Sequence, residues 1–109
     1  MSIDTNEVFE KMVEAAKGVF NEKWPQTKDY AESEAKIFAE RFANIARLRL
    51  EGKITEKRAK LHLEFQKDAW ETVLLAVDGL SQLLVEEALN AALDAVKDIV
   101  NTAVGFVLL

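Results

Sequence analysis

Between Asp78 and Gly105 the polar residues of this chain fall on one line. Asp78, Gln82, Glu86, Asn90, Asp94, Asp98, Asn101 and Gly105 follow one another at steps of four, closing with a three and a four. That spacing keeps them on one slowly drifting track of an α-helix. Around the track lie leucine, valine, isoleucine and alanine, so most of the circumference is apolar and the helix needs neighbours on at least two sides. Ala88, Ala92 and Ala95, with Ala91 beside them, allow a close approach. Leu89, Leu93, Val96, Val100 and Val104 supply larger side chains for interdigitation. Such a helix belongs at the centre of a bundle or is shared between a bundle and a second copy, and these five residues form the candidate oligomer contact.

A bilayer is the third place for an apolar helix, and the charges argue against it. A spanning helix needs about 20 predominantly apolar residues with few or no charges. Every window of that length within Val85 to Leu109 contains Asp94, Lys97 and Asp98. Lying on a membrane surface usually calls for a basic polar face, and this one is acidic. The closing GFVLL, Gly105 to Leu109, is expected to dock on a partner or return to the core.

Upstream the chain is also helical in pattern. Four glycines and one proline in 109 residues leave few interruptions, and no period-2 run bounded by turn residues signals a strand. Val8, Phe9, Met12, Ala16, Val19 and Phe20 recur at steps of three and four, predicting a first helix from Asn6 to Lys23, capped by Asp4 or Thr5, with Pro25 ending it or lying just beyond. A second helix should begin between Thr27 and Asp29 and run to Glu51, with Ala31, Ala35, Phe38, Phe42 and Ile45 inward. EGKITEKRA, from Glu51 to Ala59, reads as a helical hairpin. Gly52 suits a left-handed C-terminal position, Thr55 an N-cap, and Ile54 a staple on Ala59.

The third helix carries two apolar lines: Leu61, Phe65, Ala69 and Thr72, and Ala59, Leu63, Trp70, Val73 and Val77. Two lines predict a wide buried face touching two neighbours. Gly79 either breaks the chain there, giving a fourth helix from Leu80 to Ala103, or sits inside one helix of about 50 residues and about 75 Å, too long for a compact monomer. The break is the better reading. The expected fold is therefore all-α: a single domain over residues 1–109, a compact antiparallel bundle of four helices with a long or bent C-terminal region.

Few chemistries are encoded. Without cysteine there is no disulfide framework, thiolate nucleophile or Cys-containing zinc site. MSIDTNEVFEK lacks the basic and apolar regions of an export signal, so a cytoplasmic setting is expected. His62 is the only histidine and has Ala59, not Glu, three residues before it, so the Glu-x-x-His pattern of di-iron bundles is missing. Glu34, Glu40 and Glu64 could approach it only through the tertiary fold. There is no phosphate-binding glycine loop or nucleophile elbow. Catalytic, cofactor and metal sites are accordingly not expected.

Charge is unevenly divided. The whole chain carries a formal −5, yet from Arg41 to Lys67 eight Lys or Arg stand against Glu51, Glu56 and Glu64, while from Val73 onward five acids face Lys97 alone. Arg47, Arg49, Lys53, Lys57, Arg58 and Lys60 cluster about the hairpin and are the candidate partner-binding residues. The leading expectation is a noncatalytic, self-associating helical scaffold, regulator or adaptor that binds another protein. The alternative is a small domain binding nucleic acid or another anionic surface through those six cations.

Overall fold

The computed structural model describes residues 2–109. Four helices are joined by short connections: α1 Thr5–Phe20, α2 Trp24–Leu50, α3 Glu56–Leu75 and α4 Gln82–Val104, with a 3-10 turn, Asn21–Lys23, between the first two. They form the antiparallel bundle that the patterning predicts, elongated to 43 × 22 × 18 Å. α1 and α3 stand at opposite corners and do not touch, and each packs on both α2 and α4.

The boundaries follow local chemistry. Asp4 caps α1, its carboxylate accepting from the amides of Asn6 at 3.0 Å and Glu7 at 3.2 Å. α1 ends at Phe20, short of the expected Lys23, where Asn21 leaves the helical region with a φ of 51° and a ψ of −110°. Pro25 lies beyond the end of α1. It stands in the first turn of α2, where its missing N–H has no helical partner to lose, and so α2 begins upstream of Thr27. The hairpin forms as its residues suggest. Gly52 has a φ of 70°, the Lys53 amide donates to Leu48 O at 2.8 Å, and Thr55 Oγ1 accepts from the Arg58 amide at 3.2 Å. Gly79, with φ at 86°, separates α3 from α4, and Ser81 caps α4 by accepting from the Leu84 amide at 3.2 Å.

The core runs the length of the bundle. Val8, Met12, Ala16 and Phe20 of α1 join this core, at whose aromatic centre the Phe38 ring lies 5.7 Å from that of Phe42 and 6.1 Å from that of Trp70. Trp70 is fully buried, and its indole N–H donates to Val85 O at 3.2 Å, tying α3 to α4. α4 turns its polar track outward: Glu86 and Asn101 are half-buried and Gln82, Asn90, Asp94 and Asp98 exposed, while Asp78 falls before the helix and Gly105 caps its end. Leu89, Leu93, Val96, Val100 and Val104, offered by the sequence as an oligomer contact, are all buried inside the chain's own bundle. The other three helices account for the breadth of that apolar surface, since α4 packs on all of them.

The tail returns to the core. Asn101 Oδ1 accepts from the amides of Leu108 and Leu109, both at 2.9 Å, and Leu108 is buried. The Arg49 guanidinium lies 5.1 Å above the Phe106 ring. α1 has 16 residues against 27 in α2, so α1 leaves the far end of α2 uncovered, and the tail closes it.

Candidate interaction surface

Only one of the two apolar lines on α3 enters the core. Ala59, Leu63 and Trp70 are buried together with Gln66 and Leu74, whereas Leu61 is 60% exposed and Phe65 68%. α3 touches the two neighbours expected, α2 and α4, but its buried face is narrower than expected, because neither of them covers the side that carries Leu61 and Phe65. Leu61 and Phe65 are one helical turn apart and stand side by side on the outer surface. They share a shallow depression of about 210 Å³ with Arg58 and His62.

The outward face has a regular order. Arg58, Leu61, Phe65, Asp68, Thr72 and Leu75 are all exposed, and their steps alternate between three and four. That alternation keeps a seam on one side of a helix. Cations gather at its start, with Lys57, Arg58 and Lys60, and acids toward its end, with Asp68 and Glu71. On the neighbouring helix Tyr30 is 50% exposed and Ile37 39%. Ile37 lies about one turn from both Glu34 and Arg41, the two α2 residues that reach Gln66.

A chain of hydrogen bonds closes the α2–α3 seam. Gln66 Nε2 donates to Glu34 Oε1 at 3.4 Å, Arg41 Nε donates to Gln66 Oε1 at 3.1 Å, and Arg41 Nη1 approaches His62 Nδ1 at 3.3 Å. Burial raises the pKa of the Glu34 carboxyl above the usual glutamate value. The fold therefore links Glu34, but neither Glu40 nor Glu64, to the lone histidine. His62 itself is exposed, with a guanidinium beside its ring nitrogen. Among the described residues no three His, Asp or Glu side chains converge as metal ligands would.

The six candidate cations divide into two sets. Arg47 pairs with Glu51 at 3.3 Å and Lys53 with the same carboxylate at 3.0 Å, while Arg49 faces Glu56 at 3.9 Å. Lys57, Arg58 and Lys60 are exposed and have no ion pair among the described residues. Lys60 also borders an open cleft of about 590 Å³ between α3 and α4, with Lys67, Asp94 and Lys97 on its rim and Leu63 and Leu93 on its floor. No helix of the described residues is long and apolar enough to cross a membrane.

Sequence patterning identified the charges but missed Leu61 and Phe65 as surface residues. A signal was present: after Phe65 the outer line continues with Asp68 and Thr72, whereas the inner one continues with Trp70 and Leu74. Compared with family models, with curated proteins and with solved structures, the chain matches none.

Proposed function

We propose that this chain is a noncatalytic helical scaffold or adaptor that works by associating with protein, first of all with further copies of itself. The observation that carries this reading is the exposure of Leu61 and Phe65, adjacent large apolar side chains on a helix whose other face is packed. Isolated exposed apolar residues are common on monomers, but paired ones set within charges resemble the centre of a contact with a polar rim. The assembly surface in this reading is the outside of α3, not the inward side of α4. Size-exclusion chromatography with light scattering tests it: an oligomer is expected at micromolar concentration, and a monomer at all accessible concentrations overturns it.

The alternative is binding to nucleic acid or another anionic surface. Its support rests mainly on Lys57, Arg58 and Lys60, since Arg47 and Lys53 share the Glu51 carboxylate and Arg49 faces Glu56. It expects salt-sensitive binding weakened by Lys57→Glu together with Lys60→Glu. No binding at low salt excludes it.

A further inference from the structure

Resting on the self-association reading, we propose that two copies of the chain pair through α3, antiparallel and about a two-fold axis, with Leu61 of each copy against Phe65 of the other and Arg58 of each against Asp68 of the other. Arg58, Leu61, Phe65 and Asp68 occupy consecutive alternating three–four positions at which two helices interdigitate, and every one of them is exposed. The helix is straight enough in composition for this use: its 20 residues contain neither glycine nor proline and extend about 30 Å.

The order of side chains along the seam selects the direction. A two-fold contact uses the same patch on both copies, so the patch must complement itself. Parallel α3 helices would set Arg58 beside Arg58 and Asp68 beside Asp68, opposing like charges at both ends of the apolar pair. Antiparallel helices reverse that. With the axis crossing α3 at the height of Leu63, residues whose numbers are placed symmetrically about 63 meet. Leu61 then faces Phe65, and Arg58 faces Asp68, twice each by symmetry. The apolar pair becomes the water-excluded centre, and the two ion pairs flank it.

Both charged residues are available for this. Arg58 and Asp68 are exposed and neither is held by an ion pair within its own chain among the described residues. Ile37, exposed on α2 about one turn from the Arg41 that reaches Gln66 and His62, widens the apolar ground beside the seam. A second copy is the occupant whose chemistry fits, because its own α3 presents the complementary charge at the required position.

Charge exchange tests the arrangement on the full chain. Arg58→Asp and Asp68→Arg each place two like-charge contacts in the dimer and should weaken it about tenfold or more. Combining them restores opposite charges in both contacts, so R58D/D68R should return dimerisation to within about threefold of the wild type. Phe65→Lys should leave a monomer, and circular dichroism of each variant at these exposed positions should match the wild type. A dimer indifferent to Phe65→Lys and to both single reversals overturns this surface while leaving self-association standing. Single reversals that weaken the dimer without rescue in the double variant overturn the antiparallel register. A wild type that never associates overturns the functional reading itself.

Discussion

Glu34 is the residue at which burial and charge conflict. It lies 6% exposed on α2, with Gln66 Nε2 as its hydrogen-bond donor at 3.4 Å. A long bond from a neutral amide compensates only part of what a carboxylate loses on leaving water. Its pKa is accordingly raised by burial. A carboxyl that binds its proton more tightly when folded imposes no penalty below its unfolded pKa. The penalty grows as pH rises through the folded pKa and is complete above it. Glu34→Gln keeps the shape and removes the charge. We expect its unfolding midpoint to exceed that of the wild type near neutral pH, with the gap closing in acid as the wild-type carboxyl becomes protonated. Thermal melts across that range would show a pH-independent difference if burial were not the cause.

At the scale of elements, α3 shows how a neighbour count decides which apolar residues are core. Leu74 and Leu61 are the same residue type on the same helix, one 0% and the other 60% exposed. Leu74→Ala should destabilise by about 2–5 kcal/mol, as deletions in filled cores do, whereas Leu61→Ala should stay within about 0.5 kcal/mol in the monomer. Urea unfolding of both variants at low protein concentration checks the contrast. The C-terminal segment is a second element with a local cause. Asn101 holds it by accepting two amides, so Asn101→Ala leaves both without that acceptor. Hydrogen exchange at the Leu108 and Leu109 amides should accelerate, while that of the α4 interior around Val96 should not. Equal acceleration throughout α4 would show that the segment supports the whole helix.

For the molecule as a whole, the bundle is closed by unequal parts. α1 is too short to cover α2, the returning tail covers the remainder, and α3 is covered on its inner side alone. An assembly that forms only between folded copies draws the folding equilibrium toward the native state as protein concentration rises. The unfolding midpoint of the wild type should therefore increase with concentration, and that of Phe65→Lys should not. Identical, concentration-independent midpoints for both would contradict association through α3.

Helix number, the hairpin at Gly52, the break at Gly79 and the outward polar track of α4 were all legible in residue order. Each depends on periodicity, capping or backbone conformation, interactions that reach no farther than about one helical turn. The start of α2 was less so, because Asn21 ended α1 before Pro25 came into play. What the residue order left open was the occupant of each apolar face. Leu89, Leu93 and Val96 read equally well as core or as subunit contact, and Leu61 reads as apolar as Leu63. Only the tertiary structure chose between them, placing the first three inside and Leu61 in water. Burial of a side chain depends on which distant segments arrive beside it, and that arrangement is a property of the assembled bundle, not of any one helix.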